Sequence, residues 1–257
     1  MIPAFWHRLT DELDQWQAGG NKARLWLRDD DAVEPTPALD RLADFSARFG
    51  APVLLAIIPK GAREALAHWL AGAPLLLPAQ HGYAHRNHAP AGSKPQELGL
   101  HRGLEAVLDD LVRGRDKMMR LFGQNLRPVL VPPWNRIDPA LVPHLPGIGF
   151  EALSTFAEPG WNGAKKPKRF DSHVDLIDWK ATRIGHEPEK AMDKLVAALA
   201  LARGRNHAPA GILAHHLVHG ERAWAFLESL GQVIATHPAA RWISVDDLMC
   251  LEGPPDE

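Results

Sequence analysis

Short apolar runs that alternate with helical patterns constrain the fold of this 257-residue chain more than any other feature. The runs are continuous rather than broken at every second residue, which is typical of strands buried on both faces. Strands are predicted at 24–31, 52–59, 75–78, 129–133, 149–155, 174–179, 210–216 and 241–248. Helices are predicted at 5–18, 36–50, 62–70, about 96–122, 187–204 and 221–238, with a short one from Pro139 and a loop over 157–172. This alternation predicts a parallel sheet covered by helices.

A single α/β domain is the economical prediction for a chain of this length. We expect residues 1–257 to form one (β/α) barrel with parallel strands, and a doubly wound open sheet is the rival. No break in composition and no repeat of 20–50 residues argues for a second domain.

The composition excludes several classes of protein. The chain carries 29 Lys and Arg against 31 Asp and Glu, so no basic field draws it to nucleic acid. One cysteine, Cys250, rules out an internal disulfide framework and a zinc site built on several thiolates. No apolar run approaches the roughly 18–20 residues that span a bilayer, and residues 1–16 show no secretory signal. We therefore expect a cytoplasmic protein without a membrane span.

Polar clusters follow the predicted strands at their carboxyl ends. The clusters are Asp29–Asp31, His81 with His85 and His88, Pro132–Asn135, Asp178–Trp179, and His215–His216 with His219. In a parallel barrel all these ends lie on one face, where active sites form. The convergence of separate clusters on one face is therefore more informative than any one of them.

The first two clusters suit a divalent metal ion. Adjacent carboxylates repel one another and persist beside a cation or with raised pKa values; a solvated turn or a helix cap is the alternative. The i, i+4 spacing of His81 and His85 places both imidazoles on one face of a helical turn; surface or core histidines are the alternative. One Asp and two His leave positions open for water or substrate, as catalytic sites do. For His88 we prefer a loop or outer-layer position to a third nitrogen ligand.

Two further kinds of side chain fit such a site. A histidine that is not a ligand, such as His215, suits a general acid near the metal; a structural histidine pair is the alternative. Trp134, Trp161 and Trp179 lie in predicted loops and are candidates for packing against sugar rings.

The ordered motifs resemble those of a known family. RDDDA (28–32), HGYAH (81–85), VPPWN (131–135), DW (178–179) and LAH (213–215) resemble, in that order, the five motifs of the polysaccharide deacetylase (NodB-homology) family. The resemblance covers nearly the whole chain, and HGYAH is its most specific single match. It implies a distorted (β/α)7 barrel and metal-dependent hydrolysis of an N-acetyl or similar amide.

The resemblance also implies a role for the residues of the first two motifs. His81 and His85 match the two metal-binding histidines. In the register that we prefer, Asp30 is the general base and Asp31 is the metal ligand, since Ala32 then replaces the family's small glycine. The other register makes Asp29 the base and Asp30 the ligand.

The remaining motifs imply substrate contacts and an acid. Pro133 and Trp134 match one wall of the substrate groove, with Asn135 beside them. Asp178 and Trp179 match the motif that supports the acid–base pair and forms another wall. His215 matches the histidine that acts as the acid.

The chain departs from the family pattern at two positions. Val131 stands where the family has the arginine that orients the base, and Arg136 is a candidate replacement. Gly82 stands where the family has Ser or Thr after the first histidine. Such changes indicate a divergent branch, which by resemblance includes enzymes acting on small amides or formamides.

The sequence therefore predicts a deacetylase or deformylase of an N-acylated saccharide or small amide. Its cofactor is expected to be a divalent metal, Zn²⁺ first and Co²⁺, Ni²⁺ or Mn²⁺ as substitutes. A carbohydrate-binding barrel that has lost turnover is the alternative, motivated by the missing arginine. A glycoside hydrolase ranks last, because no pair of Glu residues stands at the carboxyl ends of the predicted strands.

Overall fold

The structure is a computed structural model that describes residues 4–157 and 167–251. Trp161 lies outside the described residues. The strands are β1 Ala23–Ala32, β2 Val53–Ile57, β3 Leu76–His81, β4 Val129–Val131, β5 Ala152–Leu153, β6 Lys168–Arg169, β7 Ser172–Asp175, β8 Ala210–Ala214 and β9 Ala240–Trp242. The α-helices are α1 His7–Ala18, α2 Pro37–Phe49, α3 Glu64–Leu70, α4 Leu104–Phe122, α5 Pro188–Arg203, α6 Glu221–Thr236 and α7 Val245–Cys250. No helix among the described residues has the length and apolarity to cross a membrane.

The chain divides into two compact units, and β1 contributes residues to both. The first unit comprises Met1–Asp29, Pro37–Val53 and Ser172–Glu257, and the second comprises Asp30–Thr36 and Leu54–Asp171. The expectation of a single domain stays a prediction.

Parallel pairing in the first unit aligns the carboxyl ends of its strands. The amino-terminal part of β1 pairs in parallel with β8 and β9, and β7 pairs in parallel with β8. The register sets Asp29 opposite Ala214, so the chain leaves β8 at His215, one residue beyond the partner of Asp29. In the second unit β3 pairs with β4, β4 with β5 and β5 with β6, again in parallel. The predicted α/β class with parallel strands is confirmed.

Apolar packing holds each unit together. In the second unit Val107 and Leu111 of α4 pack with Leu130 of β4 and Leu153 of β5 in one buried cluster. Burying side chains of this size contributes about 1.5–3 kcal/mol each. In the first unit the buried Glu12 of α1 receives two hydrogen bonds from Arg203 of α5, at 2.8 and 3.2 Å.

Three predicted boundaries differ from the observed ones, and a backbone angle or a local hydrogen bond explains two of them. The long helix begins at Leu104 rather than near 96, because Gly103 has a φ of +84° that a helix cannot continue through. The strand expected over 174–179 ends at Asp175, whose carboxylate accepts a hydrogen bond from the Ile177 N–H and turns the chain. The loop expected over 157–172 contains β6.

The segment 241–248 is the clearest correction. It was expected to be a strand, but pairing stops at Trp242 and α7 begins at Val245. The Ser244 and Asp247 side chains form a reciprocal capping box, which satisfies N–H groups at the helix start. The sequence S-V-D-D is therefore a helix start rather than a strand end.

Candidate active site

A carboxylate and two imidazoles converge in the second unit. The Oδ1 atom of Asp31 lies 3.2 Å from Nε2 of His81 and 3.4 Å from Nε2 of His85. Among the described residues these three form a group whose potential ligand atoms all lie within 4.8 Å of one another. Asp31 has a φ of +77°, which turns its side chain out of the regular alternation of β1. The strand end is therefore shaped to present this carboxylate.

His81 is oriented by the neighbouring strand. Its Nδ1 lies 2.9 Å from the Val131 carbonyl, which can only accept, so Nδ1 carries the proton. In the neutral imidazole this leaves the lone pair on Nε2, which faces Asp31 as a metal ligand requires. Burial and the neighbouring His81 lower the pKa of His85, which favours its neutral, metal-binding form.

His85 reaches His81 through a tight turn and not through the expected helical turn. His81 is the last residue of β3, and both Gly82 and His85 have a φ of +52°. The i, i+4 spacing was therefore informative, but the prediction of a helix at this position is wrong.

Glu97 holds this turn together. Its buried carboxylate accepts hydrogen bonds from the N–H groups of Tyr83, Ala84 and Arg86 at 3.0, 2.8 and 3.2 Å. A Cβ on Gly82 would lie 2.1 Å from Oε2 of Glu97, so only glycine leaves room for the carboxylate. Sequence reasoning missed Glu97. The one available signal was the glycine in place of Ser or Thr, which left the turn without a local side-chain acceptor.

Trp134 covers the outer histidine. It belongs to a single 3-10 turn, Pro133–Asn135, directly after β4, and its ring centroid lies 4.3 Å from that of His85. Trp134 and Asn135 have φ angles of +55° and +57°, an uncommon pair for residues with side chains. Pro133 packs against the turn, since a Cβ on Gly82 would lie 2.5 Å from its Cγ.

The three consecutive aspartates have different surroundings. Asp29 is fully buried in the first unit, where its carboxylate accepts from the His216 N–H at 2.8 Å and contacts His216 Nδ1 at 2.5 Å. Asp30 is 2% exposed, whereas the side chain of Asp31 is 30% exposed. Sequence reasoning did not identify the Asp29–His216 pair, because nothing in the motifs links these two positions.

His215 of the first unit contacts a carboxylate and an indole. Its Nδ1 lies 3.9 Å from Oδ1 of Asp175, and its ring meets that of Trp179 edge-on at 4.9 Å between centroids. The Trp179 indole N–H donates to Oδ2 of Asp175 at 2.8 Å, which fixes both side chains. Asp175 was not among the expected site residues.

Asp178 has other partners. Its carboxylate accepts from the N–H groups of Lys180 and Ala181, both at 3.1 Å, and lies 3.5 Å from Nδ1 of His186. Asp175 is therefore the acidic residue beside His215, and a substrate-binding role for Asp178 stays a prediction.

His88, for which we preferred a loop position, and Arg136, the candidate replacement for the arginine, make other contacts. His88 is not part of the Asp31–His81–His85 group among the described residues, and its N–H bonds the Gln96 carbonyl. Arg136 donates to the Pro95 carbonyl at 2.8 Å and forms no ion pair with Asp30 within the described part of the chain. Arg136 therefore does not replace the orienting arginine. Arg28 is fully buried on β1 and, by strand alternation, shares a face with Asp30.

The donor set fits a divalent metal ion. Two neutral imidazole nitrogens and one carboxylate oxygen are ligands that Zn²⁺ accepts, and three protein ligands leave a position for water or substrate. His81 donates its Nδ1–H to a backbone carbonyl, which fixes the orientation of the ring, as is usual for metal-bound histidines.

Known structures share this fold. A Mycobacterium smegmatis protein assigned to the polysaccharide deacetylases is 16% identical, with a TM-score of 0.66 and 90% of each chain covered. A family 4 carbohydrate esterase from Streptomyces lividans, solved with acetate, is 15% identical over 83% of this chain and 88% of its own, with a TM-score of 0.54. An acetyl xylan esterase of the same family from Clostridium thermocellum, solved with a cobalt ion, is 10% identical over 88% and 89%, with a TM-score of 0.53.

Neither the protein-family models nor the curated proteins give a match to the chain. At identities of 10–16%, the structural likeness establishes the fold only, and the activity has to be argued from the site. At the level of the fold the resemblance seen in the five motifs is confirmed: this chain has the parallel α/β fold of the polysaccharide deacetylases over about 90% of its length.

Proposed function

We propose that this protein is a metal-dependent hydrolase that removes an acetyl or formyl group from an N-acylated sugar or a related small amide. The observation that carries the proposal is the convergence of Asp31, His81 and His85. The shared fold with deacetylases and esterases, one solved with acetate and one with cobalt, supports the same class of chemistry.

Asp31, His81 and His85 would hold the ion, with Zn²⁺ as the first choice and Co²⁺, Ni²⁺ or Mn²⁺ as substitutes for the same donors. When bound, such an ion supplies a Lewis acid that polarises the amide carbonyl and lowers the pKa of water.

Asp30 is the proposed general base, which accepts a proton from the attacking water. The surroundings of the three aspartates support this register. Both carboxylate oxygens of Asp29 contact His216, so this carboxylate is already engaged. Asp31 is turned toward the two histidines. Asp30 lies between Asp29 and Asp31 on β1 and is the carboxylate to which this register assigns proton transfer.

His215 is the proposed general acid, which gives a proton to the leaving nitrogen. An amine leaves poorly without that proton, so the acid is needed for turnover. Asp175 and Trp179 support this role, because together they restrict the orientation of the imidazole. Pro133, Trp134, Asn135, Asp178 and Trp179 are the proposed substrate-binding residues.

The first experiment measures bound metal. Protein purified without an affinity-metal step is expected to carry close to one divalent ion per chain by elemental analysis. His81→Ala and Asp31→Ala are expected to lose the ion, while His68→Ala, on the exposed face of α3, keeps it. Wild-type affinity in Asp31→Ala would refute the proposed register.

The second experiment separates the acid from the metal ligands. With acetylated and formylated amino sugars as substrates, chelator is expected to abolish release of acetate or formate from the wild type. His215→Ala should keep the metal and lose turnover by about 10²–10⁴-fold. A protein that binds metal and sugar but releases no acid from any acylated sugar would instead be the non-catalytic carbohydrate-binding barrel.

A further inference from the structure

A small cavity opens beside the Trp134 segment in the second unit. Its volume is about 170 Å³, and its polar lining includes Asn135, Arg136, Thr155 and Arg169. Ile137, Leu153 and Phe156 supply its apolar surface. A space of this size holds a group of about six heavy atoms, since an apolar cavity of about 150 Å³ binds benzene.

One of the two arginines in this cavity is already neutralised. Nε of Arg169 lies 2.6 Å from Oδ2 of Asp171, and its Nη2 donates to the Thr155 hydroxyl at 2.8 Å. Asp171 also accepts from the N–H and the hydroxyl of Thr155 at 2.9 and 2.8 Å. Arg169 and Asp171 therefore form a closed, neutral wall.

Arg136 is different. Within the described part of the chain, its side chain donates a hydrogen bond to a neutral acceptor, the Pro95 carbonyl at 2.8 Å, and has no ion pair with a carboxylate. Its side chain is only partly exposed, so the charge is not simply directed into bulk solvent. A partly buried guanidinium without an anion leaves N–H donors that a carboxylate satisfies in a two-point geometry.

The backbone ties this charge to the candidate active site. Trp134 packs on His85, and Arg136 follows Trp134 by two residues. Two successive steps of the chain cover at most about 7 Å between Cα atoms. Trp134 and Asn135 both have positive φ angles, a costly conformation that is typical of functional segments.

We propose that the cavity around Arg136 binds a carboxylate carried by the substrate, so that the preferred substrates are N-acylated compounds bearing one such group. The inference rests on the proposed hydrolase function and adds a substrate class to it. Arg136 would form an ion pair with the carboxylate of the preferred substrate. A neutral analogue cannot form this ion pair and is expected to bind more weakly.

The test compares acids with their methyl esters, which differ mainly in charge. The probes are N-acetylglucosaminuronic acid, N-acetylneuraminic acid and N-acetyl-β-alanine, each beside its methyl ester. Binding is measured by calorimetry on His215→Ala protein, in which the proposed turnover is removed. We expect at least one acid to bind about tenfold tighter than its ester, which corresponds to about 1.4 kcal/mol.

Two arginine variants decide the assignment. Added to the same background, Arg136→Gln is expected to reduce the preference for the acid to less than twofold. Arg120→Gln removes the same charge from an exposed position on α4 and is expected to keep the preference.

Three results would overturn the assignment: equal binding of every acid and its ester, no binding of any acid, or a preference that survives Arg136→Gln. These readouts do not depend on turnover. A failure of the hydrolase proposal would appear separately, as absent metal or absent product.

Discussion

At the scale of single residues, the candidate metal site depends on a carboxylate that does not bind the metal. Glu97 accepts three backbone N–H groups in the turn that carries His85. The Glu97 carboxylate needs the space left by Gly82, which stands where the family has Ser or Thr. The geometry of the two histidines is therefore set by a residue fourteen positions beyond Tyr83.

Glu97→Ala is expected to weaken metal binding about 10–100-fold, as loss of outer-layer support does at other metal sites. The three N–H groups lose their acceptor, so the turn no longer fixes His85 relative to His81. The affinity is read from titration with Co²⁺ followed by absorbance, with the fold checked by circular dichroism. Glu105→Ala, an exposed acidic residue on α4, is the matched control. An unchanged Co²⁺ affinity in Glu97→Ala would contradict this role.

The residues of the site were predictable where one strand end or one motif contains them. Asp31, His81 and His85 met this condition, because strand ends and the i, i+4 spacing are local signals. Glu97, Asp175 and the Asp29–His216 pair did not. Glu97 and the Asp29–His216 pair make contacts between segments far apart in sequence. Asp175 is a single acidic residue outside the motifs, and no spacing rule identifies it.

At the scale of elements, α6 packs on α2 through a glycine. A Cβ on Gly231 would lie 2.5 Å from Cδ2 of Phe49 and 2.8 Å from Cε2 of Phe45. Real side chains do not approach this closely, so the two helices owe their separation to the missing methyl group. The two phenylalanine rings pack against each other, with 5.1 Å between centroids, which restricts their movement.

Gly231→Ala is therefore expected to destabilise the protein by about 1–3 kcal/mol, the usual cost of overpacking. Helix propensity alone predicts the opposite, a gain of up to about 1 kcal/mol. Urea unfolding decides between the two effects by the sign of the change. Gly147→Ala, where a Cβ meets nothing within 4 Å, is expected to be close to neutral. A stabilised Gly231→Ala protein would show that the helices move apart at little cost.

The alternation of elements was predictable because apolar runs and amphipathic faces are strong local signals. Boundaries were not predictable where one or two residues redirect the chain. Asp175 ends β7 with a side-chain hydrogen bond, Gly103 delays α4, and the Ser244–Asp247 capping box starts α7 within an expected strand. Each of these is a cap or turn, whose effect on the backbone outweighs the hydropathy of its neighbours.

At the scale of the whole molecule, stability is expected to depend on pH through His219. The pKa of His219 is lowered to about 4, mainly by burial and also by His215, His216 and Arg41, against the opposing effect of Asp29. Nε2 of His219 accepts the His215 N–H at 3.3 Å, and its ring lies edge-on to Trp224 at 4.7 Å. A proton on Nε2 would remove that acceptor, so the folded protein favours neutral His219.

Because the pKa is lower in the folded protein than in the unfolded chain, the unfolded chain binds the proton first as the pH falls. The contribution of neutral His219 is therefore complete above about pH 6.5 and is lost as the pH falls toward 4. The shift corresponds to at most about 3 kcal/mol.

His219→Gln keeps an acceptor and removes the titration, so its free energy of unfolding should fall less between pH 7 and pH 4.5. Urea unfolding across this range measures the difference, and other titrating groups cancel between the two proteins. Exposed His68→Gln should follow the wild type, and parallel curves for wild type and His219→Gln would show that His219 is protonated at no cost to the fold.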